Sequence, residues 1–300
     1  MNSIREIRRK IKSIKSTQQI TQAMKMVATA RLHRAQSSIL NSRPFAMKLN
    51  ELISDILDKL DIVPENIMKF IVPEPDRKSK QSAVIFLVTA DRGLCGSFNN
   101  TLIRKTIETI REYKEYNIKL ITVGKKGRDY FIRTSQEIYR EYSNIFNNLG
   151  YVHAEIIGND IIGLYLSQKI SKIIVIYQQF KSVLHQELTV TQLLPLNRAV
   201  FNCPEKTAVT GLCNKTDFLY EPEKEKLLEI LFPRYIKSQI YRILLESRAA
   251  EFASRMVAMD QATNNAAELL DSLTMELNKI RQTGITTEIS DIVGASEAIR

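Results

Sequence analysis

The sequence predicts a mixed α/β fold, with a long antiparallel coiled coil of the N- and C-terminal helices and a central α/β domain between them. Three observations support this prediction. Met1 to Arg43 contains no Gly or Pro, Arg234 to Thr283 contains none, and the chain between them alternates between strand-like and helical patterns. Each terminal stretch fits one helix of roughly 60 to 75 Å at about 1.5 Å per residue. Because so long a helix cannot bury its apolar side in a compact core, each needs a helical partner.

Both terminal stretches carry apolar residues at alternating spacings of three and four, which is the heptad pattern of a coiled coil. On the N-terminal side the pattern runs through Ile4, Ile7, Ile11 and Ile14. On the C-terminal side it runs through Leu270, Leu273, Leu277 and Ile280, with Ile236, Ile240 and Ile243 in the same phase. Two such patterns at opposite ends of the chain indicate an antiparallel hairpin.

Two interruptions of the heptad pattern leave two interpretations open. Polar side chains stand at Thr17, Gln18 and Gln19, and small ones at Ala249, Ala250, Ala253 and Ser254. Such residues fix the register of a coiled coil or let two backbones approach closely. They also suit a surface that faces something other than the partner helix.

The middle of the chain predicts a Rossmann-like α/β domain. Predicted strands cover Ser82 to Thr89, Lys119 to Val123, Ser171 to Gln178 and Leu188 to Leu193, and predicted helices cover Thr101 to Tyr116 and Asp160 to Ile170. Strands that alternate with helices indicate a mainly parallel sheet covered on both faces. The expected organisation is an N-terminal coiled-coil helix (1–60), a linker (61–81), the α/β domain (82–195), a loop-rich connection (196–230) and a C-terminal coiled-coil helix (231–300).

The sequence contains no pattern that predicts catalysis or cofactor binding. The loop from Thr89 to Asn99 follows a strand, where an α/β fold binds phosphate, but it lacks both common glycine fingerprints. The three cysteines (Cys95, Cys203 and Cys213) and three histidines (His33, His153 and His185) have no metal-ligand spacing. We therefore expect no catalytic residue, no cofactor and no metal.

The charge predicts a partner of negative charge: an acidic protein, an anionic membrane surface or nucleic acid, among which net charge alone does not choose. The net charge is +10, and the first 36 residues contain nine basic side chains against the single acid Glu6. Such a basic helix suits a collar of acidic protein, and it suits DNA almost as well. The longest apolar run, Ala83 to Val88, is too short to cross a bilayer, and the start lacks a signal-peptide core. These features predict a soluble cytoplasmic protein with no direct membrane insertion.

Several motifs along the chain resemble one known family. They are Ile4 to Ile11 (IREIRRKI), Thr17 to Ala28 (TQQITQAMKMVA), Asp91 to Gly96 (DRGLCG), Ala253 to Met259 (ASRMVAM), Asn278 to Gln282 (NKIRQ) and Ile285 to Ile289 (ITTEI). In order and in distance from the ends they are similar to the gamma subunits of rotary F-type ATP synthases. The similarity spans essentially the whole chain.

This resemblance implies a central rotor shaft without a catalytic site of its own. In that family the coiled coil is inserted in a ring of alternating catalytic and noncatalytic subunits, and the α/β domain lies near the membrane rotor. The implied partners are those ring subunits, the epsilon subunit and the membrane c-ring, at the cytoplasmic face of a bacterial inner membrane. The implied ring contacts are Met24, Lys25, Arg255, Arg281, Gln282 and Thr286. Proton flow would then drive ATP synthesis through rotation.

Two positions depart from that pattern. Plant plastid relatives carry a redox-regulated cysteine pair near the place of Cys203 and Cys213, but here the cysteines are farther apart and the surrounding insertion is absent. Gly284 interrupts the last helix and is expected to soften it locally. The alternative function is a basic coiled-coil protein that binds nucleic acid, which would need aromatic or Arg side chains placed to reach bases.

Overall fold

The computed structural model describes residues 4–60, 64–71, 82–134, 136–167, 170–197, 220–221 and 223–298. It divides into two compact units, which are treated separately. The helical unit comprises Met1–Ala30 and Arg255–Arg300, and the domain unit comprises Arg31–Ser254. The predicted fold class is confirmed: two long terminal helices accompany a central sheet with helices on both faces.

Six α-helices and five strands make up the described fold. The helices are α1 (Ile4–Asp58), α2 (Glu65–Ile71), α3 (Phe98–Glu112), α4 (Lys125–Arg133), α5 (Tyr151–Ser167) and α6 (Lys224–Ala298). The strands are β1 (Ser82–Val88), β2 (Asn117–Val123), β3 (Ile138–Tyr142), β4 (Ile170–Phe180) and β5 (Gln186–Leu194). A short 3-10 helix spans Ile145–Asn148.

The sheet has the order β3-β2-β1-β4-β5. The pairs β3 with β2, β2 with β1 and β1 with β4 are parallel, whereas β5 pairs with β4 in antiparallel orientation. Strand β1 is therefore central, which explains why it is a continuous apolar run: its residues from Ala83 to Val88 are all fully buried. A polar side chain on this strand would be buried away from solvent, whichever face of the sheet it projected from.

Each face of the sheet has its own apolar core. On one face, α1, α2, α5 and α6 pack through residues such as Ile53, Phe70, Ile161 and Phe232. On the other face, α3 and α4 pack through residues that include Leu102 and Phe131. The domain unit is thus a three-layer structure in which parts of both terminal helices serve as covering helices.

The observed elements extend beyond several predicted ones. Helix α2 lies inside the range 61–81 that was assigned to a linker, and α6 begins at Lys224, inside the range 196–230 assigned to a loop-rich connection. Both terminal helices also contain a proline, Pro44 in α1 and Pro233 in α6. The predicted helices 1–60 and 231–300 already included these prolines, although a proline removes one helical N–H donor. Next to Pro233, burial of Phe232 and Tyr235 stabilises the helix, whereas the nearest buried apolar residues around Pro44 are Ile39 and Leu49, about one turn away on either side.

Gly124 is needed where β2 turns into α4. Its φ is +90°, and a Cβ atom there would lie 2.1 Å from the backbone oxygen of Thr89. The same turn is held by two backbone hydrogen bonds: the Thr89 N–H donates to the Val123 oxygen, and the Gly124 N–H donates to the Tyr142 oxygen. Only glycine satisfies both the backbone conformation and the space.

Replacing Gly124 by Ala is therefore expected to lower the free energy of unfolding by about 2 kcal/mol or more, from backbone strain and steric overlap. Urea denaturation followed by circular dichroism measures this change. The matched control is Gly150→Ala, because a Cβ atom at Gly150 would meet no atom within 4 Å. Equal stability of the two variants would show that the turn relaxes around the added methyl group.

Candidate functional site

In the helical unit, α1 and α6 run antiparallel. The Nζ atom of Lys25 lies 2.6 Å from Oδ1 of Asp260, and the Thr263 hydroxyl donates to the Thr21 hydroxyl at 2.8 Å. As residue numbers fall along α1, the partner numbers rise along α6. The predicted antiparallel pairing is thus present in this unit. Counting from the threonine pair places Ile280 opposite Ile4.

The buried and half-buried residues of both helices follow the heptad spacing. In the helical unit the α1 series is Ile4, Ile7, Ile11, Ile14, Gln18, Thr21, Lys25 and Ala28. The α6 series is Met256, Met259, Thr263, Ala266, Leu270, Leu273, Leu277 and Ile280. The alternation of three and four is unbroken in both series. The pairing therefore continues through the polar positions.

Polar residues in these two series make specific contacts across the pair. Thr21, which is only 8 % exposed, bonds Thr263, and Lys25 pairs with Asp260. A polar pair inside an apolar seam fixes the register of the two helices, because a shift would leave its polar groups unpaired. Thr17 and Gln19 are exposed and lie outside the seam, so the register interpretation does not extend to them, and a surface that faces another protein stays a prediction there.

One alanine of the second interruption packs in a core of the α/β domain. Ala249, Ala250 and Ala253 are fully buried, and Ala250 belongs to the core that contains Phe98 and Leu102. Next to them, the Ser254 hydroxyl donates to Oε1 of Gln186 at the start of β5. In the domain unit, Ala250 and Ser254 thus lie where α6 contacts the sheet. The contact explains the second interruption of the pattern at these two positions.

The six predicted contact residues fall into two groups on the helical unit. Met24, Lys25 and Arg255 are half-buried within the paired region, where Lys25 is already held by Asp260. Arg281, Gln282 and Thr286 are exposed and lie beyond Ile280, the last residue of the heptad series. The Thr286 hydroxyl donates to the backbone oxygen of Gln282, as threonines in helices commonly do. The structure does not bring the two groups into one cluster.

An apolar stripe beyond Ile280 was missed by the sequence analysis. Ile285, Ile289 and Ile292 lie at helical spacing on α6 and are 49 %, 56 % and 70 % exposed. The signal that would have revealed them is this spacing, which continues after the heptad pattern with α1 has ended. Exposed apolar residues at adjacent turns are characteristic of a surface that another protein covers.

The paired part of the helical unit also exposes large apolar side chains. They are Ile20, Met26 and Val27 on α1, and Leu269 and Met275 on α6. The basic residues of the first turns are exposed as predicted: Arg5, Arg8, Arg9, Lys10, Lys12 and Lys15. The surface of this unit therefore combines positive charge with apolar side chains, which suits enclosure by protein better than free solvation.

The loop after β1 uses its polar groups internally. Oδ1 of Asp91 accepts hydrogen bonds from the backbone amides of Lys125 and Asn144, and Oδ1 of Asn99 accepts one from Ala90. Asp91 thus ties together the loops that follow β1, β2 and β3. A phosphate at the first turn of α4 would meet this carboxylate, so the loop geometry opposes phosphate binding there.

Other predictions concern metals, membranes and thiols. Among the described residues, no group of His, Cys, Asp and Glu side chains could hold a metal ion. Likewise, none of the described helices combines the length and the hydropathy of a membrane span. Cys95 is buried beside Asn99, which donates to its sulfur. Cys203 and Cys213 lie outside the described residues.

Comparison with known proteins places the chain in a family. The family described as ATP synthase matches residues 3–299. The chain is 42 % identical over 309 residues to the ATP synthase gamma chain of Elusimicrobium minutum, covering all of this chain and 99 % of that protein. It is 40 % identical over 300 residues to the ATP synthase gamma chain of Halothermothrix orenii, with both chains covered completely.

The chain belongs to the ATP synthase gamma chain family. The resemblance seen in the sequence is therefore confirmed. A solved chain from the central stalk and c-ring of Tetrahymena thermophila mitochondrial ATP synthase is similar, with a TM-score of 0.59, 26 % identity, and 81 % of this chain and 99 % of that chain covered. A chain of Euglena gracilis mitochondrial ATP synthase has the same fold, with a TM-score of 0.66 and 20 % identity, covering 99 % of this chain and 94 % of that chain.

In this member of the gamma chain family, Gly284 lies in the part of α6 that has no α1 beside it. A Cβ atom there would meet no atom within 4 Å. Replacing Gly284 by Ala is expected to stabilise the local helix by about 1 kcal/mol. Amide hydrogen exchange at residues 281–288 should slow by about fivefold, which corresponds to that free energy, with residues 256–270 as the internal reference. Unchanged exchange would show that this glycine does not limit the order of the helix.

Proposed function

We propose that this chain is the central rotor shaft of a proton-translocating ATP synthase, coupling proton flow to ATP synthesis and hydrolysis by rotation. The chain is a non-catalytic subunit, and the catalytic sites are on other subunits of the complex. The observation that carries the proposal is the full-length identity of about 40 % to gamma chains. The paired terminal helices agree with it.

The energetics of ATP release explain why such an enzyme needs a shaft. One elementary charge that crosses a potential of 100 mV releases about 2.3 kcal/mol. Release of a ligand bound with nanomolar affinity costs about 12 kcal/mol. Several proton steps must therefore be added together before one product leaves. A mechanical connection between distant sites performs this addition.

The helical unit has the properties that such a connection requires. The Thr21–Thr263 and Lys25–Asp260 contacts resist sliding of one helix along the other, because sliding would separate polar partners. The two helices expose different side chains, since the first turns of α1 are basic whereas α6 exposes Leu269 and Met275. An asymmetric surface presents different contacts to successive subunits of a surrounding ring as it turns.

The proposed partners are the alternating catalytic and noncatalytic ring subunits, the epsilon subunit and the membrane c-ring. The ring would contact Met24, Lys25, Arg255, Arg281, Gln282 and Thr286. The structure assigns these contacts no partner, but the positive charge and exposed isoleucines of the helical unit suit an enclosing acidic and apolar surface. The complex is associated with a membrane, and we place the chain peripherally at the cytoplasmic face of a bacterial inner membrane.

The alternative of nucleic-acid binding gains no support from the comparisons. Its only motivation was the basic N-terminal helix, and positive charge alone serves protein partners equally well.

The decisive experiment reconstitutes the ring subunits with and without this chain and measures ATPase activity and stoichiometry. One copy of the chain per ring, with activity that depends on it, is the expected result. Rings that reach full activity without the chain, or several copies of the chain per ring, would contradict the shaft assignment.

A further inference from the structure

The domain unit contains a groove of about 950 Å³ that the proposed rotor function does not use. It lies between α1 and α6, with α5 and β4 at its side, and it is lined by residues such as Arg43, Asn50, Arg242 and Glu246. This volume is in the range of sites that bind small organic molecules. The groove combines many polar and charged side chains with a few apolar ones, among them Phe45 and Met47.

Positive charge in the groove exceeds negative charge. Lys237 is paired with Glu155 at 3.4 Å, but within the described residues Arg43, Arg234 and Arg242 form no ion pair. Glu246 is the only other carboxylate among the lining residues. With four basic side chains against two carboxylates, the lining therefore has a formal net charge of +2. Arginine side chains of this kind bind phosphate oxygens through two parallel hydrogen bonds.

Two buried oxygen atoms in the groove need hydrogen-bond donors. Glu246 is 8 % exposed, and neither its Oε2 atom nor the Oδ1 atom of Asn50 has a hydrogen-bond partner among the described residues. Burial raises the pKa of Glu246, and Arg242, Lys181, Arg43 and a hydrogen bond from Tyr177 oppose that shift. Since an unsatisfied buried oxygen is unfavourable, a ligand that carries hydroxyl groups would complete the site.

Two apolar side chains of the groove lining are exposed. Phe45 is 55 % and Met47 is 71 % exposed, whereas Ile39, also in the lining, is buried. These side chains come from the stretch of α1 around Pro44. An apolar chain laid along Phe45 and Met47 would remove them from water, at about 25 cal/mol per Å² of apolar area.

We propose that this groove binds an anionic glycerophospholipid whose headgroup carries free hydroxyls. The phosphate binds Arg43 and Arg242, the headgroup hydroxyls donate to Glu246 and Asn50, and an acyl chain covers Phe45 and Met47. This ligand class satisfies all three observations at once, because it combines an anion, hydroxyl donors and an apolar chain in one molecule.

The test uses the purified full chain and short-chain dihexanoyl phosphatidylglycerol below its micelle concentration, with binding measured by isothermal titration calorimetry. The double variant Arg43→Gln with Arg242→Gln is expected to bind at least tenfold more weakly. Both arginines are exposed, so the fold should persist, and thermal unfolding checks this. The matched control removes two exposed arginines of α3, Arg104→Gln with Arg111→Gln, and is expected to change affinity less than twofold.

Two related ligands test the remaining parts of the proposal. Dihexanoyl phosphatidylmethanol has the same charge as dihexanoyl phosphatidylglycerol but no headgroup hydroxyls. It is expected to bind about tenfold more weakly than the glycerol lipid, because one or two hydrogen bonds are lost. Glycerophosphoglycerol, which lacks acyl chains, is also expected to bind more weakly. Equal affinity for glycerophosphoglycerol would assign the groove to soluble phosphate esters and overturn the lipid assignment. Absence of lipid binding, with arginine-dependent binding of a Glu-rich amphipathic peptide, would overturn it in favour of a protein partner.

Discussion

Replacing Arg281 and Gln282 together by alanine is expected to lower ATP synthesis by energised membranes at least tenfold, while the amount of assembled complex stays unchanged. Both side chains are exposed on α6 beyond the paired region, so their loss removes no internal packing. Alanine is also the best helix former, which preserves the backbone. A charged hydrogen bond contributes about 1.5–3 kcal/mol, and each 1.4 kcal/mol is a factor of ten.

The matched control is Asp271→Ala with Ser272→Ala, an adjacent exposed pair about three turns earlier on α6 that carries no assigned contact. It should leave synthesis within twofold of the unchanged protein. Immunoblots of purified complexes measure assembly, and synthesis is measured by luciferase luminescence. If the Arg281 and Gln282 variant synthesised ATP normally, these two residues would be ordinary helix surface and the assigned ring contact would be wrong.

Replacing Phe232 by Ala is expected to lower the free energy of unfolding of the domain unit by about 3–5 kcal/mol. Phe232 is fully buried and stacks on Phe70 of α2 with ring centroids 6.3 Å apart, and Phe70 stacks on Tyr165 of α5 at the same distance. The Tyr165 hydroxyl donates to the backbone oxygen of Lys69. One side chain of α6 thus holds two further helices, and its truncation leaves a cavity that they cannot both fill.

The control for this prediction is Phe45→Ala, because Phe45 is 55 % exposed and should change stability by no more than about 0.5 kcal/mol. Urea denaturation followed by circular dichroism compares the two variants. A loss below about 1 kcal/mol for Phe232→Ala would show that α2 and α5 move together to close the space, and that the aromatic stack does not hold this side of the sheet in place.

The coiled-coil helices were predictable because their evidence is periodic and extends over many residues. Isoleucines such as Ile4 and Ile7 recur on one helical face, and the same spacing from Leu270 to Ile280 identifies the partner. The central strand β1 was predictable for a related reason. A strand buried on both faces is a continuous apolar run, and no other stretch of the chain matches it in length.

The shorter elements of the domain were not predictable in the same way. Helix α4 has nine residues and contains Gly127, so it offers too few turns for a periodic signal. Strand β3 lies at the edge of the sheet, and its residues are exposed or half-buried, so it lacks an apolar run. Helix α5 begins at Tyr151, before the predicted start at Asp160, and it includes Gly158. A Cβ atom at Gly158 would lie 2.6 Å from the Cγ atom of Lys237, so this glycine serves close packing and does not end the helix.

The candidate ring contacts could be predicted from the sequence only through its resemblance to the gamma subunit family. Nothing in the residue pattern of Arg281 or Gln282 distinguishes them from helix surface. The Lys25–Asp260 pair and the groove beside Glu246 join positions far apart in the chain, and no local pattern predicts such pairs. The alanines near Ala250 illustrate the same limit, since sequence indicated close packing but not which element they pack against.

Helix α6 continues from Arg281 to Ala298 without α1 beside it, and this has a consequence for assembly. The segment is rich in β-branched residues, including Ile285, Thr286 and Ile289, and it contains Gly284, so its intrinsic tendency to be helical is low. An unpaired helix of this length is only marginally stable in water. Its order would then depend on surrounding protein, so that the tip becomes rigid only once the complex has closed around it.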